Sequence, residues 1–372
     1  MSPFEEINSV IADPAAYARR LKEETGKKVI GYLCSYTPEE IILAGGSHPF
    51  RLLGGEAAIT HADAHLQAYC CSLVRGVLEE ALSGRLDFID GAIFPHTCDS
   101  IQRLSDIWRL NIPFGFHTDV VFPVKLNTES ARQYMLDVLT GFRTDLERAL
   151  ETKISDENLR NAIILTNNIR RSLKEIYELR SLNPSLMSGP DLHKLMKASM
   201  LMDRERFLAI ATAVAAEMRG SDAPIKSGVK RLVLAGGFCN HPDIYSIIED
   251  AGGAVVWDDF CTGSRYFEEL VPETEAPLEG IARRLLKRPV CPAKHGGLQV
   301  RADHLREIIR ERQADGVIFV LLKFCDPHAF DYPYLKGKLD QEGIPNMLME
   351  VETPLPPAGQ IRTRIEAFME MM

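Results

Sequence analysis

Apolar residues along this chain follow two rhythms: short unbroken runs, and longer stretches with a 3.6-residue beat. The runs KKVIGYLCS (27–35), PFRLLG (49–54), FIDGAIFPHTC (88–98) and FGFHTDVVFP (114–123) predict buried strands of a parallel sheet. Between them, PEEIILAGG (38–46) predicts a helix that Pro38 opens and glycines end, and helical spacing recurs over 65–82 and about 99–110. From about 128 to 218 the chain reads as helical, with charge opposite the apolar face and SLNPSLMSGP (181–190) as a break. The last third alternates again. Strands are predicted over 230–239, 254–261, 315–325 and 344–352, and helices over 241–253, 302–313, 332–343 and 359–372. Strand–helix alternation implies parallel sheets with right-handed crossovers. The fold class is α/β: two Rossmann-like domains with short parallel sheets (1–125 and 226–372) plus a helical segment (126–225), their strand ends facing a shared cleft.

Composition narrows the function. Of 372 residues, 45% are hydrophobic and 26% charged, with a net charge of -9. That balance speaks against nucleic acid as partner, since such binders need excess Lys and Arg. The N-terminus lacks a basic stretch followed by an apolar one, and no apolar run reaches the roughly 18 residues of a membrane span. The expectation is a cytoplasmic protein without a membrane partner.

Eight cysteines then call for a reason, because a reducing compartment disfavours disulfides. Burial is the plain reading of any single one. Yet Cys34, Cys98, Cys239, Cys261 and Cys325 all fall at carboxyl ends of predicted strands, the edge where open α/β sheets bind ligands. Zinc sites favour Cys-x2-4-Cys pairs, which are absent; separated thiolates meeting between loops suit an iron–sulfur cluster. Cys70 and Cys71 are adjacent on the predicted 65–82 helix, where neighbouring side chains diverge by about 100°.

Longer strings carry a resemblance. Residues 31–54 (GYLCSYTPEEIILAGGSHPFRLLG), 71–108 (from CSLVRG to LSDIW), 257–267 (WDDFCTGSRYF), 315–352 (from DGVIFVLLKFCDPHAF to LMEVE) and 359–368 (GQIRTRIEAF) resemble, in order, the 2-hydroxyacyl-CoA dehydratase / benzoyl-CoA reductase family. The resemblance implies a heterodimer with a homologous sister subunit, an ATP-hydrolysing iron–sulfur activator protein and an acyl-CoA substrate. It also implies a [4Fe–4S] cluster on Cys71 (in CSLVR), Cys98 (in HTCDS) and Cys325 (in KFCDP), with Cys70 the competing neighbour. A linked double cubane using further cysteines such as Cys239 and Cys261 is the alternative, marking a small-molecule reductase; a non-catalytic electron-relay subunit is a third reading. In such enzymes one electron added to a thioester carbonyl makes the neighbouring hydroxyl a better leaving group, and ring reduction needs an equally strong donor.

Other residues carry two readings each. Ser35 could hydrogen-bond a thioester oxygen at a helix N-terminus, or cap the Pro38 helix. Glu56 is a candidate acid/base group or an exposed loop carboxylate. His48 and His96 could supply protons or be structural. Arg265 could meet a ligand phosphate or form an internal ion pair. Cys291, before Pro292, reads as a loop position. The glycine pairs do not form GxGxxG, so dinucleotide binding is not supported.

Overall fold

The computed structural model describes residues 3–55, 58–113, 115–289 and 291–372. Two helices, α1 (Pro3–Ala12) and α2 (Pro14–Thr25), precede the first strand. The side chain of Asp13 accepts from the Ala16 N–H and Pro14 opens α2, a standard N-terminal stop–start pairing. The first half then runs β1 (Val29–Tyr32), α3 (Glu39–Ala44), β2 (His48–Arg51), α4 (Ser72–Leu82), β3 (Gly91–Pro95), α5 (Asp99–Asn111) and β4 (Phe116–Val120). Four helices follow: α6 (Glu129–Leu150), α7 (Asp156–Leu182), α8 (Gly189–Leu201) and α9 (Arg204–Arg219). The second half runs β5 (Lys230–Gly236), α10 (Pro242–Asp250), β6 (Gly253–Asp259), α11 (Ser264–Phe267), α12 (Pro277–Lys287), α13 (Leu298–Glu311), β7 (Gly316–Leu322), α14 (Asp326–Gln341), β8 (Asn346–Val351) and α15 (Ala358–Glu370).

Each half holds an all-parallel four-stranded sheet, and the strand order is the same in both: β2-β1-β3-β4 and β6-β5-β7-β8. The fold class is therefore the two Rossmann-like sheets expected. In each sheet the order reverses beside its first strand, between β1 and β3 and between β5 and β7, the crevice where such sheets take ligands. At the second crevice Gly236 ends β5 so close to β7 that a methyl group there would run into the Val320 carbonyl oxygen.

Strand alternation sorts β1 between two cores. Val29 and Leu33 face a large core that continues through Leu232 and Val317 of the second sheet; Ile30 and Tyr32 face a smaller one with Met135 and Leu139 of α6. The helical middle touches both halves: α7 packs on α3 and on β6, and α8 packs on β2 and on α10. Buried ion pairs reinforce the first of these contacts. Glu40 meets Arg170 of α7 at 2.5 Å, and Glu39 meets Arg204 of α9 at 2.9 Å while accepting from the Tyr266 hydroxyl at 2.8 Å. No helix among the described residues is long and apolar enough to cross a membrane.

Three predicted helices begin elsewhere; the one expected from residue 302 starts four residues earlier, at Leu298. The one expected from residue 65 starts at Ser72, because residues 60–62 fold back onto the Glu79 carboxylate, which accepts N–H bonds from Thr60, His61 and Ala62. Cys70 and Cys71 thus precede α4 and do not lie within it. The helix expected from Tyr332 starts at Asp326, so Pro333 is internal to α14 and Pro327 occupies its first turn.

Candidate active site

Three strand-to-helix connections end in a cysteine that opens the helix, and the first-turn geometry decides which side chains meet. Cys98 lies three residues past β3 and is the N-cap of α5; Cys325 lies three past β7 and is the N-cap of α14; Cys71 is the N-cap of α4. Phe324, just before Cys325, has φ +64°, a left-handed conformation that turns the chain from strand to helix at some cost in strain. All three cysteines line one cleft of about 550 Å³ between the two halves. Its walls also include Thr97, Pro292, His295, Arg301 and Asp331, and Phe324 and Phe330 stand at it with Phe330 84% exposed. Of the adjacent pair, Cys71 faces the cleft, while the Cys70 thiol turns toward the Gln67 side-chain oxygen at 3.9 Å.

Two influences compete at these sulfurs. Burial disfavours the thiolate and dominates: it raises Cys71, pushes Cys98 up to about 12 and raises Cys325 further. The amide of the third residue of each following helix (Val74, Ile101, His328) pulls the other way, as helix N-termini do for anions, and the neighbouring sulfurs add mutual repulsion. Among the described residues no side-chain hydrogen bond caps any of the three helices, and all eight cysteines are free. No group of three His, Cys, Asp or Glu among the described residues could hold a single metal ion. Cluster ligands bind different irons and so stand farther apart than donors to one ion.

The remaining strand-end cysteines lie off the cleft. The Cys239 backbone is pinned to Thr262, its N–H donating to Oγ1 at 3.1 Å and its carbonyl accepting at 3.0 Å, and burial pushes its thiol up to about 12. Cys261 accepts from Arg51 on both its sulfur (3.1 Å) and its carbonyl (2.7 Å). Cys34 and Cys291 do not line the cleft, and burial lifts the Cys291 thiol to about 11. Cys291 is the loop position expected, and Pro292, Ala293 and His295 after it line the cleft.

Several candidates have structural duties. Ser35 neither lines the cleft nor caps α3, whose N-cap is Pro38; its hydroxyl and carbonyl accept from Arg288 at 3.0 and 2.6 Å. His48 begins β2, the edge of the sheet opposite the cysteines, and pairs with the Leu201 carbonyl at 2.9 Å, with burial pushing its pKa down to about 3. His96 holds Asp119 at 2.8 Å. Arg265 is buried against Asp259 at 2.8 Å, the internal ion pair rather than a phosphate site. Glu56 lies outside the described residues. Arg301 and Asp331 were invisible in the sequence: they occupy polar positions on α13 and α14, and only the packing of those helices turns them to the cleft.

Residues 34–372 match the family described as 2-hydroxyglutaryl-CoA dehydratase, D-component. The chain belongs to that family. The match takes in nearly the whole fold, Cys71, Cys98 and Cys325 included. The beta subunit of (R)-phenyllactyl-CoA dehydratase from Clostridium sporogenes is 28% identical over 99% of this chain and 98% of its own length. One of the subunits of benzoyl-CoA reductase from Thauera aromatica is 31% identical over 88% of this chain and 86% of its own length. The beta subunit of (R)-2-hydroxyglutaryl-CoA dehydratase from Acidaminococcus fermentans is 26% identical over 99% and 98%. This D-component homologue is thus an enzyme subunit of the dehydratase and benzoyl-CoA reductase kind, and its relatives are themselves named as subunits.

Proposed function

We propose that this chain is the iron–sulfur subunit of an ATP-activator-dependent, radical-type 2-hydroxyacyl-CoA dehydratase or benzoyl-CoA-type reductase, with one [4Fe–4S] cluster on Cys71, Cys98 and Cys325. The observation that carries the reading is the convergence of three helix-capping thiols on one cleft from distant parts of the chain. The donor set suits the group. One buried and two half-buried thiols without a side-chain capping bond are costly as anions on their own, and iron would supply the positive charge that makes them thiolates. The three relatives differ in reaction but share an acyl-CoA thioester in their names, so that class is the substrate. Partners in this reading are a homologous sister subunit and an ATP-hydrolysing iron–sulfur activator.

The bound cluster would supply single low-potential electrons. This chain's residues do the rest. Helix N-termini at Cys71, Cys98 and Cys325 offset thiolate charge. Phe324, Phe330 and Leu298 form an apolar margin that, closed by the sister subunit, keeps water from the thioester. Arg301 and Asp331 hold a fixed ion pair in the wall, and Cys71, Cys98 and Cys325 would be the residues that hold the cluster. Anaerobic electron paramagnetic resonance of the two-subunit complex tests the reading: the cluster signal should shift on adding a 2-hydroxyacyl-CoA or an aromatic acyl-CoA. A signal indifferent to every thioester, with the cluster loaded, removes the substrate assignment.

A further inference from the structure

Behind the cysteine cleft lies a small, partly enclosed cavity of about 30 Å³, lined mainly by apolar side chains but with Asp259, Arg265, Arg301, His304, His328 and Asp331 on its wall. A water needs roughly 10–15 Å³ of such space, so one or two fit. Several polar atoms around the cavity are left without a hydrogen-bond partner among the described residues. Asp259 Oδ1 and Arg265 Nε are 2.8 Å apart yet not aligned for a hydrogen bond, and neither has another hydrogen-bond partner among the described residues. His304 Nε2 is 3.8 Å from Asp259 and 3.7 Å from Glu268, gaps that call for a bridging water. Arg301 spends Nε (2.5 Å) and Nη2 on Asp331 and leaves Nη1 without a partner. A purely structural network would pair these atoms with one another.

The cavity also shares lining residues with two larger spaces. His304 lines both it and an open surface groove of about 1220 Å³. Asp331 lines both it and the cysteine cleft, and Arg301 borders all three. The geometry points to a proton conduit from the groove to the cleft, entered at His304, bridged by cavity water and delivered at the Asp331 carboxylate. The transfer balances simply: His304 gives one proton inward and takes one from groove water, so only N–H and O–H bonds exchange and no electron moves. Arg301, permanently charged, cannot relay and instead positions Asp331. Charged groups facing His304 are Asp259 from β6, Glu268 and Arg265 from and just after α11, and Arg301 on its own helix. Burial alone would depress the imidazolium, but Asp259 and Glu268 outweigh it, and the pKa is raised. The need for such a path rests on the proposed reaction, in which a hydroxyl leaves as water or a ring takes up protons.

The test uses the chain with its sister subunit, His304→Gln and Glu268→Gln variants, and added imidazole, for which the groove has room. The conduit predicts that the His304 ring, followed by NMR in the metal-free complex, titrates above the ordinary histidine value of about 6.5 and moves down in Glu268→Gln. A crystal structure should hold water between His304 and Asp331. In the loaded complex, His304→Gln should keep its iron, lose roughly 100-fold in turnover and regain part of it with imidazole. A dry cavity, a His304 titrating at or below the ordinary value, or a His304→Gln turnover within about twofold of wild type overturns the conduit. If the loaded wild-type complex turns over no thioester, the substrate reading fails instead, and the water and the titration still decide the conduit.

Discussion

The two halves share a strand order but use their crevice cysteines differently. After the third strand of each sheet, Cys98 and Cys325 cap helices at once and face the cleft; after the first strand, Cys34 and Cys239 are followed by further residues before α3 and α10 begin, and neither lines it. A cysteine at a strand's carboxyl end is therefore insufficient. What turns the sulfur outward is the helix starting directly on it, which aims its first-turn amides at the same point. The two halves also attach to the helical middle in different ways. The first uses charged pairs, Glu39 and Glu40 with Arg204 and Arg170; the second has one such pair, Arg180 with Glu249 (2.9 Å), and adds the Tyr177 hydroxyl donating to Asp258 (3.0 Å).

The largest expected effect separates capping from non-capping cysteines. Cys98→Ala and Cys325→Ala should each abolish the visible thiolate–iron absorption of anaerobically prepared protein, with affinity falling by more than about 100-fold, since even outer partners of a metal site cost 10–100-fold. Cys34→Ala and Cys239→Ala should keep the absorption. Equal losses at all four would erase the distinction. Next comes the charged attachment: Glu40→Ala strands the Arg170 guanidinium in the interior and should cost about 3–5 kcal/mol in urea unfolding. A cost below about 1 kcal/mol would mean that Arg170 finds water.

The second half's attachment should show in pH dependence. Burial raises Asp258 from 3.8 to about 7 against the hydrogen bonds that lower it. The folded chain then keeps a proton that the unfolded chain has given up, so stability falls as pH climbs from about 4 to about 7 and levels off above. Asp258→Asn should flatten that slope, measured as unfolding midpoints at pH 5 and 8; an unchanged slope would assign it to other groups. The smallest effect is at the strand-to-helix turn. Phe324→Gly removes a half-exposed ring and a left-handed strain together, and its stability should stay within about 1 kcal/mol of wild type.

Much of this arrangement was readable beforehand, for particular reasons. The strands announce themselves because β1, β3, β5 and β7 are buried on both faces and so form unbroken apolar runs. The strand-end position of the cysteines followed from those runs. The true start of α4 did not, because residues 65–71 keep helical spacing while the Glu79 carboxylate folds the preceding segment back. Helices α1 and α2 stand outside the strand–helix alternation, and only Asp13 and Pro14 at their junction mark them in the sequence. Nothing local distinguishes Cys71 from Cys70, or Arg301 and His304 from other polar residues of α13: their roles depend on which way a helix face is turned when the halves pack.

The most direct measurement is acid-labile sulfide and iron per chain after anaerobic purification, for wild type and for Cys71→Ser, Cys98→Ser and Cys325→Ser. One cluster on three thiolates predicts about four irons in wild type and next to none in each variant. Variants that keep their iron, or a wild type with about eight irons or none, would contradict it.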